Sequence, residues 1–190
     1  EELASKIRGI REYGWENRVS MQPGRNSRLD ELQAAILLIK LKYLDEDNQK
    51  RRDIAEFYIN KLSLLPISLP SIRSNGESVF HLFVIQVDDR NSLLSYLKKG
   101  GIIAGVHYSL PVHMHPAYKD RVIKSKDMKI TEDIVNKIIS LPIYPELSKS
   151  DAKKIVNRID QFYNLWNWLN PMNIERYSNI NVWASRQVWE

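Results

Sequence analysis

The order of elements predicts an α/β fold, and three observations carry that prediction. Residues 79–87 form a nearly continuous apolar run of valine, isoleucine and phenylalanine, the pattern of a buried strand. Residues 91–99 carry Leu93, Leu94 and Leu97 at helical spacing and end in Gly100-Gly101, a residue pair suited to stopping a helix. A second extended stretch, residues 102–108, follows at once. Strand, helix and strand in that order make a small layered α/β unit.

The remaining elements can be justified in chain order. Residues 1–12 place Leu3, Ile7 and Ile10 at spacings of four and three, with acids first and Lys6, Arg8 and Arg11 later, as a helix dipole favours. Gly14 ends that helix, and residues 15–25, broken by Pro23-Gly24, read as an exposed loop. Ser27 and Asp30 form a variant capping box, which predicts a helix from residue 27. Leu29, Leu32, Ile36, Ile39 and Tyr43, and then Ile54, Tyr58 and Leu62, repeat at helical spacing on either side of a charged middle. Continuous to Leu62, that helix would be about 50 Å long at ~1.5 Å per residue, and would bridge two domains or two subunits.

Pro66 and Pro70 enforce extended chain, and residues 71–78 form a polar loop. His81 falls inside the apolar run between Phe80 and Leu82 and is expected to be a hydrogen-bonded core histidine. Residues 109–118 are a structured loop with two prolines and two histidines, residues 130–139 are helical, and residues 140–144 are extended. Ser148 and Asp151 repeat the capping signature before a helix bearing Ile155, Ile159 and Phe162. Beyond Asn164 lies a tail with Trp166, Trp168, Trp183 and Trp189, for which the sequence offers no physical account.

Composition excludes several classes. Of 190 residues, 43% are hydrophobic and 27% charged, which argues against collagen-like, disordered or coiled-coil character. The longest apolar stretch, residues 32–41, is broken by Gln33 and Lys40 and falls short of the ~20 residues a membrane span needs, so no membrane partner is expected. No leader pattern and no cysteine support secretion or disulfides, and the expected location is cytoplasmic. The net charge of +5 is spread among acids and accompanies no basic-aromatic module, so no nucleic-acid partner is expected. The chain opens at Glu1, without methionine, directly into a helical pattern, and is read as having a cut end.

Among polar residues, Asn26 stands just ahead of the capped helix, whose free amides and dipole favour an anion. The same residue could equally end a loop while Ser27 caps the helix. Arg28, in the expected first turn, opposes the dipole by roughly 0.3–1 kcal/mol, and either a phosphate or Asp30 and Glu31 would relieve it. His107, His113 and His115 cluster without cysteine or an interleaved carboxylate, so no metal is expected. Tyr108 and His113 can hydrogen-bond hydroxyl groups, or simply pack the loop. Lys6, Lys40 and Lys42 sit on helices with no glycine-rich loop beside them, and none suits a Schiff-base role.

Three segments together resemble the DegT/DnrJ/EryC1/StrS family of nucleotide-sugar aminotransferases. They are Gly24-Arg25-Asn26-Ser27-Arg28-Leu29-Asp30-Glu31-Leu32-Gln33-Ala34-Ala35; Phe80-His81-Leu82-Phe83 through Gly101-Ile102 to His107-Tyr108-Ser109-Leu110-Pro111-Val112-His113; and Leu141-Pro142-Ile143-Tyr144-Pro145. Within the family, Arg11-Glu12-Tyr13-Gly14-Trp15-Glu16 and His107-Tyr108 are most similar to enzymes that aminate C3 of a dTDP-linked keto-6-deoxyhexose.

The resemblance implies a fold-type I aminotransferase using pyridoxal 5'-phosphate, of which this chain would be the C-terminal portion. Residues 1–26 would be a remnant of the large cofactor-binding domain, 27–62 the bridging helix, 63–164 the small α/β domain and 165–190 a tail of unknown role. It also implies a homodimer with the active site at the subunit boundary. An amino group would pass from an amino acid, expected to be glutamate, to a nucleotide-linked keto sugar in surface-polysaccharide or deoxyamino-sugar biosynthesis. Asn26 and Arg28 would contact the cofactor phosphate, and Tyr108 and His113 the sugar. The Schiff-base lysine would lie upstream, leaving the chain inactive alone. The alternative is a stand-alone regulatory or oligomerisation module derived from such an enzyme.

Overall fold

A computed structural model describes residues 1–72, 74–118, 121 and 127–169, the last four of these by their backbone alone. The tryptophan-rich tail falls outside the described residues apart from Leu165 and that stretch of backbone. The chain divides into two compact units, Glu1–Asp45 and Glu46–Glu190.

In the first unit, helix α1 (Glu2–Arg11) has Glu2 in its first turn and Arg8 and Arg11 in its last, complementing the dipole. The segment expected to be a plain loop instead folds into a small hairpin of β1 (Trp15–Glu16) and β2 (Val19–Ser20), with Trp15 opposite Ser20 and Glu16 opposite Val19. Asn17 and Arg18 both adopt positive φ, at 48° and 65°, as a two-residue turn with the right twist requires. The hairpin folds back on α1: Tyr13 N–H donates to the Arg25 carbonyl, Arg25 N–H to that of Ile10, and Ser27 N–H to that of Arg11.

Gly14 and Gly24 make this fold-back possible. Gly14 has φ 70°, and a Cβ there would lie 1.9 Å from the Gln22 carbonyl oxygen. A Cβ on Gly24 would lie 2.2 Å from the Gly14 nitrogen. Only backbone fits at this crossing.

Helix α2 (Glu31–Leu41) starts four residues later than the capping signature at Ser27 predicts. Its N-cap is Asp30, in extended backbone with no side-chain cap. The reason is local: the Ser27 amide is already used by Arg11, and Asn26 pairs with Glu12 in an antiparallel bridge, which holds residues 25–27 extended.

The single long helix expected over residues 27–62 is also interrupted. At Lys42 and Tyr43 the amides bond three residues back, to Ile39 and Lys40, and a new helix α3 (Leu44–Leu62) begins. No glycine or proline marks the place, so the break is a tightened turn rather than a breaker residue.

The second unit holds the core. From α3 come Ala55, Tyr58 and Leu62, all fully buried. Strand β3 (Phe83–Gln86) is shorter than the apolar run, because Phe80 adopts φ 46° and turns the chain before the strand starts. His81 is therefore exposed, and the expectation of a core histidine fails.

The antiparallel partner of β3 is β4 (Ile138–Leu141), with Phe83 opposite Leu141 and Gln86 opposite Ile138. The second strand expected at residues 102–108 reduces to one bridge, Gly105 with Ser140, while Ser68 bridges Gln86 beside β3. The helix expected over residues 130–139 is only α5 (Lys129–Ile134); Ile138 and Ile139 are drawn into the sheet, where both are buried.

Helix α4 (Arg90–Lys99) is capped by Asp89, whose carboxylate accepts from the Ser92 amide. It ends in a Schellman arrangement around Gly101, φ 76°, with Ile102 N–H donating to the Leu97 carbonyl and Gly101 N–H to that of Lys98.

Helix α6 (Lys149–Leu169) bears out its capping signature: the Asp151 amide donates to Ser148 Oγ at 3.0 Å, and the Ser148 hydroxyl donates to the Asp151 carboxylate at 2.6 Å. Leu93 and Leu97 of α4 join Ile155 and Ile159 of α6 in the core cluster. The Arg158 guanidinium lies 3.8 Å from the Tyr96 ring centroid. Each fully buried leucine, isoleucine or phenylalanine here contributes about 1.5–3 kcal/mol by leaving water. No helix among the described residues is long and apolar enough to cross a membrane.

Candidate functional site

Two groups of polar residues stand out, one in each unit. In the first, Asn26 is held by its bridge to Glu12, and the Arg28 Nε–H donates to Asn26 Oδ1 at 3.4 Å. Both side chains are exposed. With Asn26 Oδ1 occupied in this way, its amide NH₂ and the terminal guanidinium N–H groups remain as donors. Among the described residues no carboxylate bonds these donors, and such donors suit an oxyanion, so the chemistry of this pair fits a phosphate-bearing cofactor.

The expected contribution of a helix start does not hold here. Because α2 begins at Glu31, Asn26 does not adjoin it, and Arg28 lies ahead of the helix rather than in its first turn. The dipole misfit expected for Arg28 therefore disappears, and the pair depends on side-chain donors alone.

In the second unit, the chain from Gly105 to Tyr118 leaves the edge of β4 and contains one 3₁₀ turn, Val112–Met114. Tyr108 is 73% exposed on this segment. Its ring meets the His107 imidazole edge-on, with centroids 5.5 Å apart. His113 is placed differently: it is only 5% exposed, and its Nε2 lies 2.8 Å from a carboxylate oxygen of Glu132 on α5. The structure thus presents Tyr108 outward and turns His113 inward as a tie between the loop and α5.

His107 fills the exposed position next to Tyr108, with its Nδ1 2.9 Å from the Ser140 hydroxyl. Sequence reasoning singled out neither Ser140 nor Glu132. Each meets its histidine across 33 or 19 residues, and no local pattern signals such a contact. Among the described residues, no group of three or more histidine, cysteine, aspartate or glutamate side chains could hold a metal ion.

Comparison with known proteins supplies the context for these residues. A dTDP-3-amino-3,6-dideoxy-alpha-D-galactopyranose transaminase of Aneurinibacillus thermoaerophilus is 38% identical over 162 residues, covering 85% of this chain and 44% of that protein. The crystal structure of S. venezuelae DesV superposes with a TM-score of 0.79 at 35% identity, covering 85% of this chain and 44% of that one. NtdA of Bacillus subtilis, solved with PMP bound, superposes with a TM-score of 0.74 at 30% identity, covering 85% of this chain and 39% of that one.

The chain thus spans less than half the length of the relatives it matches. Its mixed helix-and-sheet structure is that of these aminotransferases over the shared stretch. A model of the DegT/DnrJ/EryC1/StrS aminotransferase family matches residues 1–160, and the chain belongs to that family, whose members depend on pyridoxal phosphate.

Proposed function

We propose that this chain is the C-terminal portion of a cytoplasmic nucleotide-sugar aminotransferase that passes an amino group from an amino acid, glutamate by preference, to a keto sugar. A dTDP-linked keto-6-deoxyhexose aminated at C3 is the proposed substrate, in keeping with the Aneurinibacillus relative, a dTDP-3-amino-3,6-dideoxy-alpha-D-galactopyranose transaminase. When bound, pyridoxal phosphate supplies the carrier for nitrogen and the sink for electrons.

The chain's own residues bind and orient. Asn26 and Arg28 offer amide and guanidinium donors to the cofactor phosphate, and Tyr108 offers its phenol to the sugar. His113, tied to Glu132, secures the loop that carries Tyr108. Lys6 and Lys40 are exposed on helices and Lys42 is exposed in the turn after α2, and the Schiff-base lysine is proposed to lie outside this chain, leaving it inactive alone.

The observation that carries this reading is the exposed Asn26–Arg28 pair, a set of donors with no acid bonded to the guanidinium among the described residues. The ³¹P resonance of pyridoxal phosphate titrated with the chain tests it. Saturable broadening is expected, weakened about tenfold or more in Asn26→Ala/Arg28→Ala, since hydrogen bonds to a charged group contribute about 1.5–3 kcal/mol. Equal broadening by wild type and double variant would sink the assignment.

A second reading is favoured by the surface of α2, where Leu32, Ile36, Leu37, Leu38, Ile39 and Leu41 are all exposed. An apolar helix of this kind supports association with another polypeptide surface. The assembly proposed is a homodimer; a regulatory or oligomerisation module is the alternative, and one 35%-identical relative is a pleiotropic regulatory protein of Geobacillus stearothermophilus.

A further inference from the structure

His107 is held from three sides. Its Nδ1 lies 2.9 Å from Ser140 Oγ. Gly105 leaves room beneath the ring: a Cβ at that position would come within 2.8 Å of the imidazole Cε1. Tyr108 closes the third side edge-on.

The Gly105 backbone is in turn fixed to the same residue of β4, with Gly105 N–H donating to the Ser140 carbonyl at 3.0 Å and Ser140 N–H donating to the Gly105 carbonyl at 2.8 Å. A single strand residue thus sets both the backbone from which the imidazole projects and the orientation of the ring itself.

The direction of the side-chain hydrogen bond follows from what each partner has available. Ser140 is 4% exposed, and a buried hydroxyl needs an acceptor for its proton. Among the described residues, His107 Nδ1 is the acceptor within its reach. If the hydroxyl donates to Nδ1, the neutral ring carries its proton on Nε2.

We propose that Ser140 is a positioning residue that fixes His107 in the Nε2–H form, so that the exposed ring offers one hydrogen-bond donor beside the Tyr108 phenol to an oxygen acceptor of the bound sugar nucleotide. The sugar-side consequence rests on the function proposed above; the positioning by Ser140 does not. Second-sphere groups commonly select a histidine tautomer in this way, as a carbonyl or carboxylate does behind a metal-bound imidazole.

The test is histidine side-chain ¹⁵N spectroscopy on the full chain at alkaline pH, with the His107 signals identified by their loss in His107→Gln. In wild type, Nε2 is expected in the protonated range and Nδ1 in the unprotonated range, widely separated. In Ser140→Ala the ring exchanges between its two neutral forms and the separation narrows. Ser140→Thr, which keeps the hydroxyl, restores it, while His81 and His115 stay unchanged throughout.

A wild-type ring protonated at Nδ1 overturns the proposal outright, without recourse to any variant. So does an unaltered separation in Ser140→Ala, with the backbone amide shifts of Gly105 and of position 140 showing the bridge intact. dTDP-glucose, which carries a sugar on the nucleotide, is then titrated against the same signals. A His107 shift whose midpoint rises about threefold in Ser140→Ala, the lower range of one neutral hydrogen bond, extends the positioning to the ligand. If the nucleotide leaves His107 unmoved while the tautomer contrast persists, the sugar-side reading falls and the positioning by Ser140 stands.

Discussion

Asp151 shows how much a single residue can carry at a helix start. The Ser148 hydroxyl bonded to its carboxylate, and after it Lys154 at 2.9 Å, hold its pKa below the usual carboxylate value. A group depressed on folding contributes stability that is present above its unfolded value, near ~3.9, and lost as pH falls through its folded value. Asp151→Asn is therefore expected to flatten the acid-side decline in melting temperature below about pH 4. Identical acid limbs in thermal melts of variant and wild type would contradict this. The Ser148–Asp151 box was readable in the sequence because its partners lie three residues apart. The histidine contacts were not, since Ser140 and Glu132 reach His107 and His113 only once the sheet and α5 have formed. Buried Tyr58 belongs with these: its hydroxyl donates to the Pro142 carbonyl across 84 residues, and burial, then neighbouring Tyr144, pushes its pKa upward.

Elements were legible where one periodicity ruled. Helices α1, α4 and α6 lie close to where their apolar spacing puts them. Misreadings arose where a pattern satisfied two structures or where backbone conformation intervened. Ile130, Ile134 and Ile138 continue a helical stripe, yet Ile138 and Ile139 pair with β3 because the sheet buries them. The apolar run from residue 79 looks like uninterrupted strand, yet Phe80 at positive φ defers its start to Phe83. The hairpin after α1 was missed because its strands are only two residues each and both are exposed. Its geometry nevertheless gives a firm expectation. Gly14→Ala introduces a Cβ at positive φ, costing roughly 1–2 kcal/mol in backbone strain, against a carbonyl that cannot rotate away. Loss of the Tyr13–Trp15 stack, whose centroids are 4.8 Å apart, is expected in the Trp15 ring shifts, with resonances of the Phe83 and Ile159 core unmoved. Retention of the wild-type Trp15 shifts would refute this.

For the whole molecule, the contrast between the two units matters most. The second buries a contiguous core from Ala55 to Tyr163. In the first, no hydrophobic side chain is buried; Leu3, Ile7, Leu29 and Leu32 are all more than half exposed. Sequence periodicity placed Leu3 and Ile7 on one helix and Leu29 and Leu32 on another, and Leu29 in fact precedes α2. If α2 is an association surface, Ile36→Asp/Leu37→Asp should weaken self-association at least about tenfold in sedimentation equilibrium, as removal of two apolar contacts implies. The urea midpoint of the second unit should stay where it is. A monomeric wild type, or an undiminished association constant in the variant, would count against that surface. Because residues 1–45 bury no hydrophobic side chain, self-association through α2, if that surface is used, would link occupancy of the phosphate site proposed at Asn26 and Arg28 to protein concentration by mass action.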